Sequence, residues 1–204
     1  MPEKAVQQQV YLIDDDEAVR DSMGMLLESS GKQYCSFCNA KDFLDFFSNQ
    51  LRGCLVLDIR MPGMNGLELQ SRLNELNSTL PIIFITGHGD VPMAVEAMRL
   101  GAVDFLRKPI NETNFLDRIN QAMSLESDNR KLALDRQQSK VRLESLTQRE
   151  LQIFERVAQG QTNKSIAIDL DISERTIEVH RAQVMKKLDA ATLAQLIRIK
   201  IQLE

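Results

Sequence analysis

The chain has 204 residues, 43% of them hydrophobic and 26% charged, which excludes wholesale disorder and leaves room for one large domain or two small ones. Its formal net charge of −4 argues mildly against nucleic acid, but the average is uneven, with residues 1–140 at −5 and residues 141–204 at +1. No apolar run approaches the ~18 residues that a membrane helix needs, and MPEKAVQQQV lacks the apolar core of a signal peptide, so the expectation is a cytoplasmic protein with no membrane partner.

Strand and helix signals alternate through the first part. Val10–Asp14 (VYLID) is an apolar run ending in acid. Glu17–Ser30 carries Val19, Met23, Leu26 and Leu27 at helical spacing and closes at Gly31. Gln33–Phe37 reads as a short edge strand, and Lys41–Gln50 as a helix with Phe43, Leu44, Phe46 and Phe47. Cys54–Asp58 (CLVLD) is a buried strand ending in acid, Gly66–Leu76 a helix, and Pro81–Thr86 (PIIFIT) another apolar strand. Val91–Leu100 is helical to Gly101, Val103–Leu106 is a strand, and Asn111–Leu125 is a final helix. This order predicts a doubly wound α/β unit, a five-stranded parallel sheet covered on both faces. Cys35 and Cys38 form a lone CxxC with no second pair, which reads as small residues on a strand and its exit rather than a metal site.

Residues 126–143 are charged and free of Gly and Pro, and read as a helical linker, either separate from the last helix of the first domain or continuous with it. From about residue 144 the period is purely helical. Thr147-Gln148-Arg149-Glu150 is a capping box, Thr162 and Ser173 cap the next two helices across an Asp171-Ile172-Ser173 turn, and Thr192 caps a fourth. The expected architecture is therefore a domain at 8–125, a linker at 126–143 and an all-α four-helix domain at 144–204.

In a parallel sheet the functional crevice lies beyond the carboxyl ends of the strands. Here those ends carry Asp14-Asp15-Asp16, Asp58 and Thr86, and Lys108-Pro109 follows the last strand. Clustered carboxylates call for a hard divalent cation with oxygen ligands such as Mg²⁺. A carboxylate nucleophile forms an acyl phosphate, and a nearby ammonium and hydroxyl offset the charge of the transferred group. Strand-end acids are equally compatible with solvated loops or with a helix N-cap at Asp15 or Asp16.

The segments VYLIDDDEAVR, LVLDIRMPGMNG, IIFITGHGDVPMAVEAM and GAVDFLRKP resemble the receiver domain of bacterial two-component response regulators, across residues 8–125. The resemblance implies a CheY-like receiver in which Asp58 accepts the phosphoryl group, Asp14 and Asp15 form the acidic pair, and Thr86 and Lys108 bind the phosphoryl oxygens. Mg²⁺ would be held by the side chains of Asp15 and Asp58 and the backbone carbonyl of Arg60. Lys108–Pro109 is a candidate cis peptide. Thr86 and Phe105 would form the switch, and phosphorylation would remodel helix 91–100, where Val95 and Arg99 are expected to face a homodimer partner.

The segment from Leu146 to Ile197 (LTQRELQIF through ATLAQLI) resembles the helix-turn-helix output domain of the NarL/LuxR type. Bottom-up, a short helix, a tight turn and a longer polar helix suit major-groove docking, but also suit a bundle for protein contacts. The resemblance selects DNA. Arg175, Thr176, Glu178, Val179, Arg181 and Ala182 lie at the start of the second middle helix, within reach of base edges or phosphates. Thr162, Asn163 and Lys164 sit at a helix N-terminus suited to phosphate, and Lys186 and Lys187 are further phosphate candidates. Ile166, Ile168, Leu170, Ile177, Val184 and Leu188 read as core or dimer face. Glu178 departs from relatives that place a basic or neutral residue there. EVHRA together with GHGDVPMAVEAM is closer to the FixJ subgroup. The resemblance implies a phosphorylation-controlled transcription factor, not an enzyme with a separate substrate, acting as an activator. Its partners would be a sensor histidine kinase, promoter DNA and RNA polymerase, with a homodimer formed on phosphorylation. The competing readings are a flavodoxin-like enzyme, which the absence of a Gly-rich phosphate loop disfavours, and a pure protein-interaction module.

Overall fold

The computed structural model describes residues 7–87 and 91–203 and divides into two compact units, up to Arg130 and from Lys131. The first holds β1 (Gln9–Ile13), α1 (Glu17–Ser29), β2 (Tyr34–Phe37), α2 (Ala40–Phe46), β3 (Gly53–Asp58), α3 (Gly66–Glu75), β4 (Ile82–Thr86), α4 (Val91–Arg99), β5 (Asp104–Arg107) and the start of α5 (Glu112–Glu144). The five strands form one parallel sheet in the order β2-β1-β3-β4-β5. Strand order reverses between β1 and β3, so the crevice expected in a doubly wound sheet opens above that pair.

Period-2 alternation assigns the two faces of the sheet. Tyr11, Ile13, Leu55, Leu57 and Phe84 pack with Ala40 and Phe43 of α2, Leu69 and Leu73 of α3, and Ala97 of α4. Val10, Leu12, Cys54, Val56, Ile83 and Ile85 point the other way, against Met23 and Leu27 of α1 and Phe115, Ile119 and Ala122 of α5. Both faces are dry, which is why the strands read as continuous apolar runs rather than alternating ones.

One helix limit differs from the sequence expectation, and one alternative that the sequence left open is resolved. The helix expected over 41–50 stops at Phe46: Phe47 turns extended and packs on the core, while the Ser48 hydroxyl accepts from Gln50 N at 3.2 Å, a local side-chain bond that competes with the helix. The helix expected over 111–125 and the linker expected over 126–143 are one helix, α5, with the break between the two units falling inside it. Asn111 accepts from Asn114 N at 3.0 Å to start it, and no Gly or Pro follows until Gly160 to end it.

The second unit holds α6 (Gln148–Ala158), α7 (Asn163–Leu170), α8 (Glu174–Lys187) and α9 (Leu193–Leu203). Its caps are those the sequence marks: Thr147 and Glu150 form the capping box, Thr162 accepts from Ser165 N, Ser173 from Thr176 N and Thr192 from Gln195 N. Asp171 turns the chain left-handed between α7 and α8, at φ 52°. Ile153, Phe154, Val157, Ile166, Ile177, Val184, Leu188 and Leu196 form the core. Ile168, read as core or dimer face, is 72% exposed, one of the α7 positions turned away from that core. Among the described residues no helix is long and apolar enough to cross a membrane.

Candidate functional site

Asp58 is the last residue of β3, and Asp14 and Asp15 directly follow β1, its neighbour in the sheet. One carboxylate oxygen from each of Asp14, Asp15 and Asp58 can be chosen so that all three lie within 4.8 Å of one another. Asp14 and Asp58 are buried and Asp15 is exposed. Asp16 caps α1, its carboxylate accepting from Ala18 N at 2.9 Å and Val19 N at 3.3 Å, so the run of three acids divides into two in the pocket and one on the helix. Lys108 lies one residue beyond β5 at the cis Lys108–Pro109 bond. Its Nζ donates to Asp14 Oδ2 at 2.6 Å and to Asp58 Oδ2 at 2.9 Å. Arg60 is exposed and its backbone N–H donates to Asp58 Oδ1 at 3.3 Å. Thr86, buried, ends β4 beside β3.

Three carboxylates gather at this end of the sheet, and the Lys108 ammonium bonds two of them. Burial pushes the Asp14 carboxyl up from its ordinary value, and the hydrogen bond from Lys108 only partly opposes this. Burial also works against the Lys108 charge, but the hydrogen bonds to Asp14 and Asp58 outweigh it and raise its pKa, so the ammonium persists. A cluster of carboxylate oxygens fits a hard divalent cation, and Mg²⁺ suits such a donor set.

Two participants escaped the sequence reading. Arg20, on the first turn of α1, donates to the Asp14 backbone oxygen at 2.7 Å and fixes the exit of β1. Gly66 opens α3 against the back of Asp58, and its N–H donates to Ile59 O at 2.9 Å. A Cβ there would come within 3.0 Å of the Asp58 backbone oxygen. The Asn-Gly pair at 65–66 was visible, but only the fold shows which backbone it faces.

Phe105, in β5, is half-buried against the core on the α2–α3–α4 face. Val95 and Arg99 are both exposed on α4, Val95 at 53%, and Arg99 lies 3.8 Å from Glu96. Residues 88–90 of the GHGDVPMAVEAM motif lie outside the described residues.

In the second unit Lys164, Arg175, Glu178, Val179, Ala182 and Lys186 are exposed on α7 and α8. Thr162 and Thr176 are engaged in caps. Arg181 is half-buried and donates to Asn163 Oδ1 at 2.9 Å, tying α8 to the start of α7. Lys187 departs from its expected place as a phosphate contact: its Nζ donates to Glu150 Oε2 at 2.6 Å and Ser145 O at 3.3 Å, which closes α8 onto the N-terminus of α6.

Residues 10–120 match the family described as response regulator receiver domain, and residues 144–200 match the bacterial regulatory proteins of the luxR family. The chain is 45% identical over 192 residues to the transcriptional regulatory protein FixJ of Azorhizobium caulinodans, covering 94% of this chain and 91% of that one. It is 42% identical over 195 residues to the response regulator protein TmoT of Ectopseudomonas mendocina, covering 96% and 89%. A solved structure of the response regulator StyR matches at TM-score 0.83 and 41% identity, covering 96% and 99%. Receiver domains generally bind Mg²⁺ at an acidic pocket of this kind, and receiver and LuxR-type domains imply a kinase phosphodonor and promoter DNA as partners. The chain belongs to the two-component response regulators, transcriptional regulators that join a receiver domain to a LuxR-type DNA-binding domain.

Proposed function

We propose that Asp58 is the phosphorylated residue and that its state controls promoter binding by α7 and α8. The observation that carries this is the Lys108 ammonium held 2.9 Å from Asp58 and 2.6 Å from Asp14, in a pocket of carboxylates at the strand ends. An Asp58 carboxylate oxygen attacks the phosphorus of a phosphohistidine on a sensor kinase. The new O–P bond forms as the N–P bond breaks, and the electron pair returns to the imidazole nitrogen. Lys108 offsets the negative charge on the transferred group, and Thr86 donates a hydrogen bond to one of its oxygens. Asp15, Asp58 and the Arg60 carbonyl would hold Mg²⁺, with Asp14 beside them. Bound there, the ion would supply positive charge to offset that of the transferred group.

The phosphorylated state draws Thr86 and Phe105 inward and favours one of two pre-existing receiver conformations. Val95 and Arg99 on α4 then face a second copy, and the homodimer places two LuxR-type domains on two half-sites. The near-neutral charge of residues 141–204 supports the need for two copies, since one weakly basic domain gains little from phosphate contacts. Lys164 and Lys186, with Thr162 and Asn163 at the α7 N-terminus, meet the DNA backbone. Arg175, Thr176, Glu178, Val179, Arg181 and Ala182 face the groove, where Glu178 accepts from cytosine N4. The domains are those at 8–125 and 144–204, joined through 126–143, and the regulator works in the cytoplasm as an activator that engages RNA polymerase. The test is genomic occupancy of the wild type against Asp58→Ala under conditions that phosphorylate the wild type. Loss of the phosphate-dependent sites is expected, and identical occupancy and output would sink the proposal.

A further inference from the structure

Helix α4 is thinly attached to the domain that carries it. Of its described side chains Ala97 is buried and Met93 is packed partly against the core, while Pro92, Val95, Glu96, Met98 and Arg99 are exposed. Among its described side chains the apolar anchors are modest, Ala97 fully buried and Met93 packed at the edge of the core. Helix α3 adds two side-chain hydrogen bonds to this hold. Gln70 donates from Nε2 to the Ala97 carbonyl at 3.1 Å, and Asn74 donates from Nδ2 to the Leu100 carbonyl at 2.9 Å. The two amides are four residues apart and so share one face of α3. They meet the end of α4, where backbone carbonyls lack partners within the helix.

The two bonds are not equivalent. Asn74 is exposed, so water satisfies the rest of its amide. Gln70 is 1% exposed and sits between Leu69 and Leu73 in the buried row of α3. Its Oε1 is buried and has no hydrogen-bond partner among the described residues. The Ala97 carbonyl also accepts from Ala102 N at 3.0 Å, so it does not depend on Gln70. A buried unpaired acceptor costs more than one amide hydrogen bond returns. Gln70 therefore makes a bond to α4 and at the same time keeps the seated position of α4 shallow, because any opening that admits water to Oε1 relieves the orphan.

We propose that this pair sets the switching balance of α4, with Asn74 holding the helix and Gln70 keeping that hold weak enough to release. The proposal deepens, and rests on, the reading of the receiver as a phosphorylation switch. It predicts opposite signs for two substitutions on the same face. Asn74→Ala removes a bond at the surface and leaves the orphan in place. Gln70→Met keeps the volume and removes the orphan. Amide hydrogen exchange of residues 93–100 is followed in the full-length unphosphorylated protein, together with the affinity for beryllofluoride in the presence of Mg²⁺. In Asn74→Ala, exchange in α4 should rise and beryllofluoride should bind more tightly, each by about 3–10-fold. In Gln70→Met, exchange in α4 should slow and beryllofluoride should bind more weakly, by a similar factor. Exchange in α1 and in the receiver part of α5 should stay at the wild-type rate in both. Faster α4 exchange in Gln70→Met, unchanged exchange in Asn74→Ala, or altered exchange with unaltered beryllofluoride affinity each overturns it. Asn74→Ala leaves the core untouched, so its arm stands even if Gln70→Met does not fold. Failure of the wild type to bind beryllofluoride at all would count against the phosphorylation reading, while the exchange comparison would still judge the balance between the two amides.

Discussion

Gly66→Ala should injure both the stability of the receiver and the chemistry of Asp58, although it replaces glycine by the best helix former in a helix. Without tertiary context the exchange would stabilise α3 by up to ~1 kcal/mol. The fold reverses the sign. The new methyl would lie within 3.0 Å of the Asp58 backbone oxygen and at 3.0 Å from both Ile59 Cα and the Phe84 ring, against ordinary contact from 3.4 Å. Two of the three obstacles are backbone, and Phe84 is fully buried, so no flexible side-chain end can yield. Either α3 or the end of β3 must retreat by roughly 0.5–1 Å, at a cost of about 1–3 kcal/mol for an overpacked core. A displacement of that size at a nucleophile also lowers the rate of an in-line transfer by up to ~10²-fold. Both tyrosines, Tyr11 and Tyr34, belong to the receiver, so tyrosine fluorescence in urea reports that unit alone. The rate is read from labelling by acetyl phosphate with Mg²⁺. A variant as stable as wild type, or more so, with an unchanged labelling rate would refute the close approach of α3 to Asp58.

Two further outcomes concern the second unit. The bonds from Lys187 and the Thr147 backbone hold the Glu150 carboxyl down at about 2, against an ordinary 4.5. A carboxylate depressed in the folded state stabilises above its unfolded pKa and loses that contribution as pH falls toward the folded one, so calorimetry should find the transition invisible to tyrosine fluorescence weakening between pH 4.5 and about 2. In Glu150→Gln that transition should sit lower at neutral pH and respond less to acid over the same window; an equal response in both proteins would remove Glu150 from the account. Lys186→Ala should weaken promoter binding uniformly across sequences and reduce the slope of log affinity against log salt by about 1. An unchanged slope would place Lys186 off the DNA.

What was legible in the sequence was whatever the chain encodes within a turn or a strand. Caps at Thr147, Thr162, Ser173 and Thr192 close on groups three residues away, and five apolar runs separated by helices admit few topologies other than a covered parallel sheet. From that sheet follows the convergence of the carboxyl ends of β1, β3 and β5 on one edge, so Asp14, Asp58 and Lys108 were nameable before any coordinates. The end of α2 was not, because the pull of Phe47 into the core and the Ser48 turn override a helical period. Nor was the role of Lys187, whose partner Glu150 is 37 residues away, or the exposure of Ile168, since an apolar residue in a short helix does not announce which neighbours will cover it.

The division has a physical basis. Periodicity, capping and strand-end chemistry are properties of neighbours in the chain, and by themselves they determined a doubly wound α/β unit, a four-helix unit, and carboxylates and a lysine at the strand ends, while the receiver and output roles came from the resemblance. Tertiary structure shows the three consecutive acids dividing as the resemblance implied, with Asp14 and Asp15 at the pocket and Asp16 on a helix N-terminus. It alone decided that Gly66 must lack a side chain and that Gln70 carries an unpaired oxygen beside α4. Those facts depend on which backbone atoms the crossovers bring within 3–4 Å, and sequence spacing does not encode that distance.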